Sequence, residues 1–439
     1  MSVKVVKFGG SSLADANQFK KVADIIRSDS ERRFVVPSAP GKRFKEDTKV
    51  TDMLYSCYEL SSAGKDINEE FSKIKERYNG IINDLGIDLS LEKEFNEIEF
   101  CFKAKSGRDY AASRGEYLNG IVLAAYLGYT FIDAAEVIFF DDNGSFMLDK
   151  TITAIREKTE NIENAVIPGF YGMTLNGTIK TFSRGGSDVT GSIVARAVRA
   201  SIYENWTDVS GFLIADPRIV DNPDVIDTIT YKELRELSYM GATVLHEDAI
   251  FPVRTAGIPI NIRNTNDPTA AGTMIVPEDS GENSSKTTIT GIAGKKGFCA
   301  INIEKAMMNS EIGFVKKILD ILYNNHLSFE HIPSGIDTMS IVLSSAELEG
   351  KENLLLSQIR KEVQPDHLEV EHNIALLAVV GRRMYKTRGT AARVFAALAH
   401  NRINIKMIDQ GSSEMNIIVG IGESDFEQAI RCIYEIFVD

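Results

Sequence analysis

An arginine, two glycines and a serine–aspartate pair stand together at Arg184-Gly185-Gly186-Ser187-Asp188, ahead of a helix-like run that ends at Val198. Arginine is a planar fork that clamps a carboxylate or phosphate at two points. Glycines let a backbone approach a ligand with no Cβ in the way. Ser187 is the predicted N-cap, and the N–H groups of the first turn would then face an anion. The plainer alternative is a capped helix with a surface arginine. A second glycine turn follows a lysine, at Lys7-Phe8-Gly9-Gly10-Ser11. Turn N–H groups can cradle phosphates there, and the Lys7 ammonium can meet charge on a group in transfer. A solvated lysine before a tight turn is the alternative. Neither GxxxxGK[ST] nor GxGxxG occurs, so the common nucleotide signatures do not account for the turn.

Two further sets carry charge. Ser113-Arg114-Gly115-Glu116 opens a predicted helix, where Glu116 is either a dipole partner or the receiver of an ammonium group. Thr207-Asp208 and Asp216-Pro217-Arg218 follow a predicted strand. They suit a nucleotide's ribose, base or phosphates, or else a turn with a salt bridge.

These groups need a scaffold, and the chain can supply one. It has 439 residues, enough for two or three domains, with 44% hydrophobic and 25% charged residues. A formal net charge of −13 argues against a nucleic-acid partner. Four cysteines without a CxxC suggest neither a disulfide framework nor a zinc site, and the six histidines show no metal-ligand pairing, so no metal is expected from side chains. The longest apolar run, 374–380, is too short to span a membrane, and the N-terminus lacks a signal-peptide core. The expected location is cytoplasmic.

Residues 3–8 and 34–36 read as strands around a glycine loop and an amphipathic helix at 13–27, which Ser12 or Asp15 could cap. This is the opening of an α/β unit. Residues 43–110 read as a helical insert or lid, and 117–127 as a more apolar helix. Strands are predicted at 131–140, 165–170, 205–209 and 258–264, a helix at 231–240, and a linker at 279–287.

Beyond the linker the chain repeats itself. Residues 313–343 lie over 389–419 at a constant offset of 76, with Ile318 on Val394, Leu322 on Leu398, Asn325 on Asn401, Gly335 on Gly411 and Ile341 on Ile417. Each copy reads helix, strand, turn, strand, so two small α+β units are expected.

In order and spacing, Lys7-Phe8-Gly9-Gly10, Ser113-x-Gly115-Glu116, Arg184-Gly185-Gly186-Ser187-Asp188, Thr207-Asp208-Val209-x-Gly211 and Asp216-Pro217-Arg218 resemble the aspartate kinases of the amino-acid kinase superfamily. Gln410-Gly411-Ser412-Ser413-Glu414-Met415-Asn416-Ile417 is similar to a signature of the family's ACT domains. The resemblance spans the chain and is to the monofunctional enzymes. It implies an amino-acid-kinase fold, a sheet sandwiched by helices, over 1–287. Two ferredoxin-like ACT units would follow in 288–439, one at 306–372 and one at 373–439, the latter completed by 288–305.

The resemblance also implies ATP with Mg2+ and phosphorylation of the L-aspartate side chain. Lys7 would stabilise the transferring phosphoryl group, with Asp188 orienting it. Phe8, Gly9, Gly10 and Ser11 would line the phosphates. Ser38, Thr51, Glu116, Arg184, Gly185, Gly186 and Ser187 would hold the substrate, Glu116 its ammonium and Arg184 its α-carboxylate. Thr207, Asp208, Asp216, Arg218, Thr243 and Val244 would hold the nucleotide. Leu213 and Thr243 stand where many members carry tyrosine and lysine.

Met308, Asn309, Ser310, Gly313, Phe314, Val315, Phe329, Glu330 and Asp337 resemble an effector site, expected for L-lysine rather than L-threonine. A homodimer through the ACT units, or a tetramer built from it, is implied. Two alternatives stay open: a sister kinase with another carboxylate or carbamate acceptor, and a non-catalytic amino-acid sensor.

Overall fold

The computed structural model describes residues 2–183, 185–242, 245, 247–277 and 288–438. The chain divides into two units. One comprises Met1–Phe212, Asp227–Tyr231 and Val244–Ser284, the other Leu213–Ile226, Lys232–Thr243 and Ser285–Asp439.

Among the described residues, eight strands form the larger sheet of the first unit. In chain order they are β1 (Lys4–Phe8), β2 (Arg32–Pro37), β3 (Thr130–Phe131), β4 (Ala165–Val166), β5 (Ile202–Thr207), β6 (Thr228–Thr230), β7 (Ile260–Asn264) and β8 (Thr273–Val276). Their spatial order is β3-β4-β2-β1-β5-β7-β8-β6, and only β7 and β8 pair antiparallel. The chain winds outward from β1 to β2 and later returns to β5 on the other side. Ligands of open α/β sheets bind at such a switch, beyond the carboxyl ends of the strands.

Alternation along β1 sorts its side chains between two faces. Val6 and Phe8 join one apolar cluster with α1 (Ala16–Arg27), α2 (Val50–Ser62), α3 (Asn68–Leu85), α4 (Glu92–Lys103) and α5 (Arg108–Leu127). The helical segment 43–110 thus packs as a wall of this unit, with Phe71 edge-on to both Phe95 and Phe102. Lys7 turns to the opposite face, toward α6 (Gly186–Ala197).

Several local expectations change. Asp15, not Ser12, caps α1, its Oδ1 accepting from Gln18 N at 3.0 Å, and Leu13 falls in a preceding 3-10 turn. The strand expected at 131–140 is split by a helical turn at Ala134–Val137, because Asp133 accepts from Ala135 N at 2.9 Å and caps it. Ser187 is not the N-cap of α6. Gly185, at φ 66°, takes that place and its carbonyl receives Asp188 N at 2.7 Å, which puts Ser187 inside the helix.

Beneath the site lies a buried ion pair. Arg32 meets Glu204 at 2.8 and 3.2 Å, and Glu204 also accepts from Trp206 Nε1 at 2.8 Å. Arg32→Met is expected to destabilise the protein by about 3–5 kcal/mol, the scale for stranding one member of a buried pair. Calorimetry should show a clearly lower transition temperature for the variant, and an unchanged one would contradict the assignment.

In the second unit, β9 (Gly291–Glu304), β10 (Thr338–Ser344), β11 (His367–Val380), β12 (Ile405–Asp409) and β13 (Asn416–Gly422) form one sheet in the order β10-β9-β11-β13-β12. The helices α7 (Phe314–Asn324) and α8 (Glu352–Val363) share a core with the first repeat, α9 (Thr390–His400) and α10 (Phe426–Val438) with the second. The repeat holds atom by atom: Gly313 and Gly389 start α7 and α9 at φ 83° and 87°, and Asn325 and Asn401 close them, their Nδ2 atoms donating to Ile321 O and Ala397 O. β9 and β11 each run through both repeats of this second unit. Residues 291–295 pair with 376–380, and 298–304 lie between β10 and the first half of β11.

Among the described residues no helix is long and apolar enough to cross a membrane.

Candidate active site

At the carboxyl end of β1, Lys7 is 8% exposed and its Nζ lies 2.7 Å from Asp188 Oδ1. Asn205 completes the group: its Nδ2 donates to the same Asp188 oxygen at 2.9 Å, and its Oδ1 accepts from Lys7 Nζ at 3.4 Å. The β1–β5 register sets Asn205 directly beside Lys7, so both side chains share one face. The three side chains come from β1, β5 and the first turn of α6. Asp188 therefore holds the Lys7 ammonium.

The glycine turn sits over this group. Gly9 N donates to Trp206 O at 3.0 Å, tying the turn to β5. At Gly10 a Cβ would stand 2.8 Å from Ala39 O, and at Gly41 one would stand 2.6 Å from Gly10 C. Two backbones cross here at a distance only glycine permits. Arg77 holds the second of them, donating to Gly41 O at 2.6 Å and to Asp47 at 2.8 Å. The hydrogen bonds that Asp47 accepts from Arg43, and next from Arg77, keep its carboxyl far below the usual range.

Glu116 lies on α5, 6% exposed. Burial pushes its carboxyl from the ordinary 4.5 up to about 8, although the Ala39 backbone acts in the other direction. Its Oε2 has no hydrogen-bond partner among the described residues. An orphaned buried carboxyl calls for a cationic donor. One turn on, Asn119 Nδ2 donates to Ser38 O at 2.6 Å, and Ser38 N donates to Phe8 O at 3.0 Å. The lysine end and the carboxyl end are thereby joined through the close of β2. The arrangement can hold two anions against one lysine while receiving an ammonium nearby.

The Amino acid kinase family matches residues 2–264, and an ACT domain matches residues 377–437. Over 451 residues the chain is 40% identical to Aspartokinase 3 of Bacillus subtilis (strain 168), covering 99% of this chain and 98% of that one. This chain belongs to the aspartate kinase family. An aspartate kinase crystal structure from Clostridium acetobutylicum matches it with a TM-score of 0.91 at 54% identity, over 100% of both chains. A structure of E. coli aspartokinase III in complex with lysine and aspartate gives a TM-score of 0.72 at 25% identity, again over 100% of both. The protein is an ATP-dependent kinase acting on a carboxylate.

Within this kinase, Lys7, Gly9, Gly10, Ser38, Glu116, Ser187 and Asp188 stand on elements that meet around the end of β1. Phe8 is fully buried and stacked on Trp206 at 6.0 Å, so it offers only backbone. Ser11 is exposed in the 3-10 turn. Thr51 is half-buried in the first turn of α2, its hydroxyl without a hydrogen-bond partner among the described residues. Gly186 has φ 29°, and Ser187 sits against Gly169, where a Cβ would stand 2.4 Å away. Thr207 ends β5 and the exposed Asp208 follows it, Thr207 Oγ1 donating to Asp208 at 3.2 Å. Asp216 and Arg218 belong to the second unit and pair with each other at 2.6 Å. Arg184, Thr243, Val244 and the linker at 279–287 lie outside the described residues.

In the second unit, Met308 and Phe314 are 5% and 3% exposed, and their side chains pack into the core. Asn309 N donates to Ile336 O at 3.1 Å, and Asp337 Oδ1 accepts from Met307 N at 2.9 Å, which closes this loop onto the one before β10. Ser310 donates to Asn309, Val315 and Phe329 are exposed, and Glu330 accepts from the Tyr239 hydroxyl.

Sequence reading missed Asn205, Asn119, Gly41, Asp47 and Arg77. Two of these left a signal. Asn119 is three residues past Glu116, on one helix face, and Asn205 would sit beside Lys7 in any parallel pairing that aligns the strand ends.

Proposed function

We propose that this protein transfers the γ-phosphoryl group of ATP to the side-chain carboxylate of L-aspartate, giving 4-phospho-L-aspartate and ADP. The observation that carries this reading is Lys7, held by Asp188 and Asn205 beside a glycine turn, with the orphaned Glu116 carboxyl joined to it through β2. A carboxylate acceptor with an ordinary pKa of about 3.9 is ionised at neutral pH, so no general base is required. What the step requires is orientation and charge neutralisation between two anions. Lys7 supplies a fixed positive charge at the transferring group. The backbone at Gly10 and the start of α6 supply N–H donors to phosphate oxygens. Glu116 receives the substrate ammonium, and Arg184 is assigned its α-carboxylate. Mg2+ would come bound to the nucleotide and would supply further charge neutralisation at the phosphates. Thr207 and Asp208 close the nucleotide end.

The ACT units bind an end-product amino acid, L-lysine, and favour a less active state when they do. The lysine complex of the E. coli relative supports this choice. A homodimer through the ACT units completes the reading.

Hydroxylamine traps acyl phosphates, so incubation with Mg-ATP and L-aspartate should give a hydroxamate, and titrated lysine should suppress it. Turnover of a different acceptor but not of aspartate would move the protein to a sister activity. Binding of amino acids without any turnover would make it a sensor.

A further inference from the structure

The helix α5 grips the chain just past β2. Asn119 Nδ2 donates to Ser38 O at 2.6 Å, and Glu116 lies against the Ala39 backbone. Asn119 Oδ1 and Glu116 Oε2 are left buried, without a partner among the described residues. The amide cannot be turned the other way round. Its neighbour is a carbonyl, which only accepts, so Nδ2 must face it and Oδ1 is left over. Asn119 is fully buried at 0% exposure, out of reach of bulk water.

Residues three apart share one face of a helix. With Glu116 ionised, two orphaned acceptors therefore stand one turn apart beside the end of β2. Buried polar groups in native proteins find partners, and a pair of acceptors calls for a group with more than one N–H to give. An ammonium has three. A hydroxyl has a single hydrogen and can satisfy only one of the two.

We propose that Asn119 is a second ammonium-recognition residue of this kinase, its Oδ1 receiving the substrate's α-ammonium jointly with Glu116 Oε2. The proposal rests on the aspartate kinase reading and adds a specificity determinant to it. The β2 grip then has a second role, since the same amide that fixes Ser38 is held in place to read the substrate. Amino, hydroxy and unsubstituted four-carbon dicarboxylates should rank in that order.

The test compares the KM for L-aspartate with the inhibition constants of L-malate and succinate, on the full chain at one pH. Asn119→Leu is expected to raise the KM for aspartate roughly 10- to 100-fold, the scale of losing a hydrogen bond to a charged group, while succinate changes by less than about threefold. Asn119→Asp keeps an acceptor and gives up the donor to Ser38 O. It should retain the preference for aspartate over succinate even where kcat falls. Equal weakening of both ligands in Asn119→Leu would reduce Asn119 to a clip on β2. Loss of the preference in Asn119→Asp would also overturn the proposal, and this variant decides alone if the leucine variant does not fold. Failure of the reaction reading shows up separately, as no phosphorylation of L-aspartate by the unsubstituted protein.

Discussion

Replacing Lys7 by methionine is expected to lower kcat for phosphoryl transfer by roughly 10²–10³-fold or more, the scale for removing one preorganised charge from a developing anion. The lysine is unusually well fixed for such a long side chain. Asp188 at 2.7 Å and Asn205 at 3.4 Å hold its ammonium, and burial keeps water from screening it. Most of the ordering cost is therefore met in the free protein rather than at the transition state. Methionine keeps the length and apolar volume of the stem, so fold and substrate binding should survive. The KM for aspartate should move much less than kcat, because the substrate's own charges are matched elsewhere. Asn205→Leu should give a smaller loss in the same direction, since it loosens the ammonium without removing it. Steady-state kinetics on the two variants check both statements, and a near-normal kcat in the Lys7 variant would remove the lysine from the mechanism.

The second large effect is on pH. Burial holds the Glu116 carboxyl at about 8. Below that value the free protein carries it neutral, yet an ammonium partner requires it ionised. Aspartate binding should then release a proton, and the KM for aspartate should fall about tenfold per pH unit as pH rises toward 8, levelling above it. Calorimetric titrations in buffers of different ionisation enthalpy would detect the proton directly. Stability of the free protein should run the other way. Between the ordinary 4.5 and about 8 the unfolded chain holds fewer protons at this site than the folded one, so stability falls as pH rises through that window. Glu116→Gln should flatten both slopes and raise the KM. A KM for aspartate that is constant from pH 6 to 8 in the unsubstituted protein would contradict the raised carboxyl.

The parts of the site that carried unusual residue types were readable from sequence. A lysine before paired glycines, and an arginine before two more, have few structural reasons to exist. Asparagine is too common in turns and caps to attract notice, and so Asn119 and Asn205 escaped. Their roles depend on helix phase and strand register, which become visible only once elements are paired. Ser187 looked like a cap because serine usually is one. The two preceding glycines adopt positive φ and move the helix start forward. In the second unit the offset of 76 was readable because buried positions and helix-ending asparagines recur in both copies. The continuity of β9 and β11 was not. The exposed residues Lys295-Lys296-Gly297 and the positive φ at Asn373 interrupt the apolar pattern where the register shifts.

That continuity limits how the regulatory half can be inherited. Each long strand serves two hydrophobic cores, so neither ACT unit owns a complete sheet. A deletion of either copy would strip a strand from the other. The duplication that produced the pair can therefore no longer be undone by loss of one half, and a feedback response could be transplanted to another enzyme only with both copies together.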